Sequence, residues 1–258
     1  MNGPRRESVR RGIPLRALVP NAVTALALCF GLTGIRFAIG GEWERALGSI
    51  IIAAVLDGID GRIARLLKGE TRFGAELDSL SDVIAFGVSP AIILYLWSLQ
   101  HLPQVGWIFA LAHAVCCALR LARFNANIDA TDQPHKSAGF LTGVPAPGGA
   151  ALLFLPMYLW LWTGNPLFRE IWLVAPWAAL VAFLMISSLA TYSWSALKPR
   201  RGIRLELILA VALLGGALIS ASWATLTALA IAYLMTIPFS IRGYAKVRRL
   251  RAASQSGG

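Results

Sequence analysis

Residues 57–82 read DGIDGRIARLLKGETRFGAELDSLSD and place four aspartates in a part of the chain that is otherwise typical of a membrane protein. They are Asp57, Asp60, Asp78 and Asp82. A carboxylate at the centre of a membrane helix costs about 2.5–3.5 kcal/mol on insertion scales, so such groups are rare and usually functional. Four of them close together predict a cation site.

The composition is that of a polytopic helical membrane protein. Hydrophobic residues make up 57% of the 258 residues and charged residues 14%, and apolar runs of roughly twenty residues recur along the chain. We therefore predict an all-α integral membrane protein with about eight transmembrane helices. The predicted spans are residues 19–40, 46–67, 78–99, 105–124, 145–163, 171–193, 205–222 and 223–240.

The basic residues predict how these helices are oriented. The net charge is +11, and most of the 24 lysines and arginines lie before the first span, after the last, or in alternate connections. The positive-inside bias then places the N- and C-termini in the cytoplasm, which predicts a multi-pass protein of the inner membrane. The same charges suit anionic lipid headgroups, and no nucleic-acid partner is expected.

The spacing of the four aspartates predicts a shared cleft between two helices. Asp57 and Asp60 are three residues apart, and Asp78 and Asp82 are four apart, so each pair projects from one helical face. Two antiparallel helices joined by a short basic turn would bring the pairs together. Carboxylate oxygens suit Mg²⁺ or Mn²⁺, and four carboxylates can hold two ions. The alternative is structural pairing with the basic residues of the turn.

Small residues and one arginine predict a phosphate-containing ligand beside the cation. Gly58, Gly61, Ala64 and Gly74 would let a phosphate or nucleotide approach the backbone closely. Arg65 offers a planar cationic group that matches phosphate oxygens. A cation, a phosphate and the space for both are therefore expected in one place.

The string D-x-x-D-G-x-x-A-R-x8-G-x3-D-x3-D resembles the signature of the CDP-alcohol phosphatidyltransferase family. The resemblance implies that family's fold, a homodimer, and transfer from a CDP-linked lipid or alcohol to an acceptor hydroxyl, with divalent metals and release of CMP. It also implies that Asp57, Asp60 and Asp78 are metal ligands, and that Asp82 is a further ligand or the general base.

Further segments resemble the members of the family that use serine. These segments are LDSLSDVIAFGVSPA at residues 77–91, LRLARFN at 119–125 and FLTGVPAP at 140–147. VPNAVT at residues 19–24 is similar to the sequence that opens the first helix in the family. The resemblance therefore implies transfer of the phosphatidyl group of CDP-diacylglycerol to the hydroxyl of L-serine, among membrane lipids.

Binding roles are also expected outside the aspartates. Residues expected to bind the CDP-lipid are Gly61, Ala64, Arg65, Gly74, Asn21 and Thr24. Residues expected to bind serine or phosphate are Arg120, Arg123 and Asn125, where the two arginines are chosen for their charge at the cytoplasmic end of a helix. In domain terms, residues 1–18 form a basic cytoplasmic juxtamembrane segment, residues 19–243 the polytopic membrane catalytic domain, and residues 244–258 a basic tail predicted to be disordered.

Other functions remain open at this point. A different acceptor, such as glycerol 3-phosphate, choline or an inositol phosphate, would use the same metal site. A membrane prenyltransferase also binds diphosphate and Mg²⁺ through aspartates, but that chemistry does not require Gly61, Arg65 and Gly74 at these intervals. A cation transporter would use intramembrane aspartates as an ion path, and would be expected to carry them at the midplane and on both sides.

Overall fold

The computed structural model describes residues 15–126, 140–187, 189–192 and 204–256, and these residues are almost entirely helical. The helices are α1 (Leu15–Ile39), α2 (Trp43–Leu67), α3 (Arg72–Asp82), a π-helix (Val83–Val88), α4 (Ser89–Trp97), α5 (Gly106–Ala126), α6 (Ala146–Leu153), α7 (Leu155–Thr163), α8 (Ile171–Ile186), α9 (Arg204–Ser220) and α10 (Ser222–Ser256). Residues 1–14 of the predicted juxtamembrane segment and residues 257–258 lie outside the described residues.

Four helical segments within the described ranges are long and apolar enough to cross a membrane: Arg16–Ile39, Arg72–Trp97, Gly106–Ala126 and Ser222–Ser240. The apolar segments Ile171–Ile186 and Ile208–Ser220 are shorter. The prediction of an all-helical chain with membrane-spanning character is thus confirmed. The number of eight spans and the side on which the termini lie stay predictions.

The third predicted span begins earlier than the sequence indicated. We predicted its start at residue 78, but α3 begins at Arg72 because the Thr71 hydroxyl oxygen accepts a hydrogen bond of 3.0 Å from the N–H of Gly74. This side-chain cap satisfies a backbone donor that has no partner within the helix. Asp78 and Asp82 therefore lie within the helix rather than at its start.

The fifth and sixth predicted spans are also divided or shortened. A break at Phe154 separates α6 from α7, and Pro156 follows it in the first turn of α7, where its missing N–H is tolerated. The sixth span, predicted to reach residue 193, ends as α8 at Ile186. Beyond it, strand β2 (Ala190–Tyr192) pairs antiparallel with strand β1 (Phe140–Thr142).

The C-terminal region differs from the predicted disordered tail, because α10 continues as a helix to Ser256. Residues 244–256 are rich in alanine, arginine and other residues that favour the helix. Local propensity therefore accounts for a helix where the position at the end of the chain suggested disorder.

Close helix packing fixes α1 against the elements that carry the aspartates. A Cβ added to Gly31 of α1 would lie 2.8 Å from the Cα of Ala85 in the π-helix. A Cβ on Gly34 would lie 3.1 Å from the carbonyl oxygen of Ala46 in α2. Small residues at such positions let helix backbones approach each other. The α2–α3 turn also rests on α1, since a Cβ on Gly69 would collide with the carbonyl of Arg16.

The end of the fold opposite this turn is held by Arg169. Its guanidinium carbon lies 5.8–6.0 Å from the ring centroids of Trp43, Trp97 and Trp160. Its Nε also donates a hydrogen bond of 2.9 Å to the carbonyl oxygen of Trp97. One cation therefore ties together the start of α2, the end of α4, and α7.

We expect Arg169→Gln to destabilise the protein by about 2 kcal/mol, because it removes the cation from three aromatic rings and weakens a partly buried hydrogen bond. Thermal unfolding in detergent would measure the effect. Arg36→Gln, which removes an exposed arginine at the end of α1, is the matched control and should be close to neutral. Equal unfolding temperatures for the two variants would contradict the role given to Arg169.

Candidate active site

Three aspartates converge where α2 faces α3. Asp57 and Asp60 of α2 and Asp78 of α3 each offer a carboxylate oxygen, and these oxygens all lie within 4.8 Å of one another. Asp60 is only 4% exposed, and the other two are half-buried. We call these three residues the carboxylate cluster. The structure thus brings together aspartates that are up to 21 residues apart in sequence, as the spacing predicted.

Asp82 adjoins the carboxylate cluster without being part of it. Its side chain shares a hydrogen bond with that of Asp57. It also interacts electrostatically with Arg120 of α5. Asp82 therefore contacts the cluster through Asp57 and, unlike the other three aspartates, interacts with a buried cation.

Helix α1 orients the most buried member of the cluster. The hydroxyl of Thr24 donates a hydrogen bond of 2.6 Å to Oδ2 of Asp60, and its oxygen also lies 3.1 Å from the carbonyl oxygen of Pro20. The hydroxyl of Ser81 in turn donates to the carbonyl oxygen of Thr24 at 3.3 Å. Hydrogen bonds of this kind fix the direction of a metal-binding carboxylate. The sequence predicted that Thr24 binds the CDP-lipid, whereas its observed contact is to Asp60.

Gly74 and Asn21 pack directly against each other. A Cβ on Gly74 would lie 2.7 Å from Oδ1 of Asn21 and 3.2 Å from the hydroxyl oxygen of Thr71. The space beside Gly74 is therefore filled by a side chain and by the helix cap, where we had expected room for a ligand. Nδ2 of Asn21 is buried and has no hydrogen-bond partner in the protein, so it remains available to a bound molecule.

The other glycines of the motif do face open space. A Cβ added to Gly58 or to Gly61 would meet no atom within 4 Å. One helical turn after Gly61, Ala64 is half-buried and Arg65 is exposed. The surface of α2 beside the carboxylate cluster is thus unobstructed, as the predicted approach of a phosphate requires.

We expect Gly61→Ala to lower activity at least about tenfold while leaving the fold intact. A methyl group there meets no protein atom and favours the helix by about 1 kcal/mol, so a loss of activity would report obstruction of the ligand. Gly48→Ala, in the same helix and equally unobstructed, is the matched control. CMP release and unfolding temperature should be measured together. Full activity of Gly61→Ala would show that no ligand approaches this backbone.

The residues predicted to bind serine or phosphate on α5 have three different surroundings. Nδ2 of Asn125 donates a hydrogen bond of 2.8 Å to the hydroxyl oxygen of Ser79, next to Asp78. Arg123 donates to the carbonyl oxygens of Ile186 and Ser187, at 3.0 and 3.2 Å. These contacts satisfy carbonyl groups at the end of α8. Arg123 thus holds α8, and its part in substrate binding stays a prediction.

Arg120 differs from Arg123 in being buried without a hydrogen-bond partner at its Nε atom. It is 9% exposed, and this nitrogen has no acceptor in the protein. Its electrostatic partners include Asp82, Cys117 and Tyr233. Among the three predicted residues of α5, Arg120 is therefore the one that interacts electrostatically with an aspartate of the motif.

A π-helix directly after Asp82 is a feature that the sequence analysis missed. His113 of α5 is fully buried, and its Nε2 donates a hydrogen bond of 3.2 Å to the carbonyl oxygen of Phe86. In an α-helix this carbonyl would accept from residue 90, which is a proline and has no N–H. π-Helices are frequent at functional sites. Pro90 was the available signal, four residues after Phe86.

Comparison with known proteins gives matches over most of the chain. The model of the CDP-alcohol phosphatidyltransferase family matches residues 17–194. A second family model, CDP-alcohol phosphatidyltransferase 2, matches residues 203–238. A Mycobacterium tuberculosis protein named CDP-diacylglycerol–serine O-phosphatidyltransferase is 38% identical over 233 residues, which cover 90% of this chain and 81% of that protein. A protein with the same name from Mycobacterium leprae is 37% identical over 90% of this chain and 77% of that protein. Another from Helicobacter pylori is 36% identical over 55% of this chain and 58% of that protein.

Proposed function

The chain belongs to the CDP-alcohol phosphatidyltransferase family, and we propose that it is a phosphatidylserine synthase. It transfers the phosphatidyl group of CDP-diacylglycerol to the hydroxyl of L-serine and releases CMP. The observation that carries this proposal is the identity of 37–38% over 90% of the chain to mycobacterial proteins named for this reaction. The geometry of the aspartates supports the same chemistry.

The residues of the carboxylate cluster fit a divalent cation. Three carboxylates with oxygens within 4.8 Å of one another form a donor set of hard oxygen ligands, which suits Mg²⁺ or Mn²⁺. Family members depend on divalent metals. We assign Asp57, Asp60 and Asp78 as ligands and propose two ions in all. Metal bound here would neutralise the charge that develops on the CMP leaving group.

Asp82 is the residue we propose as general base. The hydroxyl of serine is a weak nucleophile at neutral pH, so a nearby carboxylate must accept its proton as the bond to phosphorus forms. The new bond joins the serine oxygen to phosphorus, while the bond between phosphorus and the oxygen of CMP breaks and CMP keeps that electron pair. The position of Asp82 beside the carboxylate cluster, rather than within it, supports this role.

The remaining motif residues position the CDP-lipid. The open backbone at Gly61 and the exposed guanidinium of Arg65 would receive the diphosphate. The buried, unpaired Nδ2 of Asn21 can donate to a substrate oxygen, while Thr24 acts through Asp60. The apolar, exposed surfaces of the surrounding helices would accept the acyl chains among the membrane lipids.

We further propose that the protein lies in the inner membrane and that its active site is on the cytoplasmic side. The turn between α2 and α3 and its flanks carry Arg62, Arg65, Lys68 and Arg72, and such clusters favour the cytoplasmic side. Both termini would lie on this side. A homodimer is expected from the family resemblance.

Purified protein supplied with CDP-diacylglycerol, L-serine and Mn²⁺ tests the reaction directly. We expect equal amounts of CMP and phosphatidylserine by mass spectrometry, no product with EDTA, and recovery when Mn²⁺ or Mg²⁺ is added in excess. CMP without phosphatidylserine would contradict the transfer, and full activity in EDTA would contradict the metal site.

A further inference from the structure

We infer that Arg120 of α5 and Tyr233 of α10 form the binding subsite for the carboxylate of the acceptor serine. This inference rests on the proposed function and adds to it a residue, Tyr233, from the last helix. The two side chains, one from each helix, interact electrostatically.

The first observation is a buried cation without a counter-ion. Arg120 is 9% exposed, and its Nε has no acceptor. It interacts electrostatically with Asp82, but the two do not form an ion pair, since the only ion pair within the described ranges joins Arg45 to Glu42. A charge that is buried and incompletely paired is costly. An anionic group of a ligand would pair with the charge of Arg120 and accept a hydrogen bond from its Nε.

The second observation is a buried hydroxyl without a hydrogen-bond partner. The oxygen of Tyr233 is inaccessible to solvent and has no partner in the protein. Tyrosine hydroxyls usually find a partner when they are buried. A guanidinium and a phenol hydroxyl can both donate. Two unused donors from different helices therefore suit a group that only accepts hydrogen bonds, such as a carboxylate.

The position of these donors favours the acceptor over the CDP-lipid. Among the four aspartates, Asp82 is the one with which Arg120 interacts, and Asp82 is not part of the carboxylate cluster that would hold the diphosphate. In serine, the hydroxyl and the carboxylate are attached to neighbouring carbons. A serine with its hydroxyl at Asp82 would therefore reach Arg120 and Tyr233 with its carboxylate.

This subsite would also select the acceptor. Choline and ethanolamine have a hydroxyl but no carboxylate, so binding them would leave a buried arginine and a tyrosine hydroxyl unpaired. Sites that lose such contacts discriminate strongly against the incomplete ligand. Helix α10 thereby acquires a part in substrate choice that its apolar sequence does not indicate.

Tyr233→Phe is the decisive variant, because the hydroxyl makes no hydrogen bond in the protein. If the hydroxyl binds the serine carboxylate, the KM for L-serine should rise about tenfold or more, as expected for a hydrogen bond to a charged group. The KM for CDP-diacylglycerol and the unfolding temperature should not change. Tyr95→Phe on α4, where the ring packs on Trp107, is the matched control and should keep wild-type constants.

L-Serine methyl ester serves as a second probe, because it keeps the hydroxyl and the amine but has no carboxylate. The wild-type protein should prefer L-serine over the ester about 100-fold or more in kcat/KM, and this preference should shrink in Tyr233→Phe and in Arg120→Gln. A wild-type protein that uses both acceptors equally, or variants that keep the full preference, would overturn the subsite alone. Absence of CMP release from the wild type with either acceptor would overturn the proposed function, and the subsite with it.

Discussion

Asp78→Asn should lower CMP release by about 10³-fold or more and should weaken Mn²⁺ binding in parallel. The amide keeps the shape of the side chain but removes one of the three negative charges of the carboxylate cluster. A cation held by fewer charged ligands binds less tightly, and its stabilisation of the leaving group is among the largest contributions to such a reaction. Isothermal titration with Mn²⁺ and a CMP-release assay would measure the two effects.

The matched control for this variant is Glu76→Gln. Glu76 is an exposed carboxylate on the same helix, two residues earlier, and it is not part of the carboxylate cluster. Its replacement should leave Mn²⁺ affinity and turnover close to those of the wild type. Unchanged Mn²⁺ binding in Asp78→Asn would show that the cluster is not the metal site.

Asp82→Asn should abolish turnover, again by about 10³-fold or more, but with Mn²⁺ and CDP-lipid binding retained. An asparagine cannot accept the proton of the serine hydroxyl, whereas the three carboxylates of the cluster are untouched. The contrast with Asp78→Asn separates a proton acceptor from a metal ligand. Titration with Mn²⁺ and with a CDP-lipid, followed by the turnover assay, would show it.

Two results would change the assignment of Asp82. Unchanged turnover would remove it from the reaction. A loss of Mn²⁺ affinity as large as that of Asp78→Asn would make it a metal ligand, the other role that the family resemblance allows.

The convergence of the aspartates could be predicted from the sequence because it depends on helical spacing alone. Positions three or four apart share a face, and a short turn forces two consecutive helices to run side by side. The same reasoning does not show which neighbour orients a given carboxylate. The bond from Thr24 to Asp60 joins residues 36 apart, and it depends on how closely α1 packs on α2.

Hydropathy located the apolar segments but not their breaks. Phe154 and Pro156 interrupt a run that is apolar throughout, so a window average passes over the boundary between α6 and α7. The end of α8 at Ile186 depends on capping by Arg123 from another helix, which no local pattern reports.

At Gly74 the sequence predicted the need for a small residue but not the reason for it. A glycine in a motif was interpreted as room for a ligand, and Gly58 and Gly61 do face open space. At Gly74 the space is taken by Asn21, which belongs to a different motif. The requirement for a small residue was correctly recognised, but its cause lies in packing between α1 and α3.

The most direct test of the central assignment is a comparison of acceptors. Wild-type protein with CDP-diacylglycerol and Mn²⁺ should be given L-serine, glycerol 3-phosphate, choline or an inositol phosphate in separate reactions, and released CMP should be measured. We predict release with L-serine and only background release with the other three. Release with another acceptor at a rate equal to or above that with serine would contradict the assignment of this chain as a phosphatidylserine synthase.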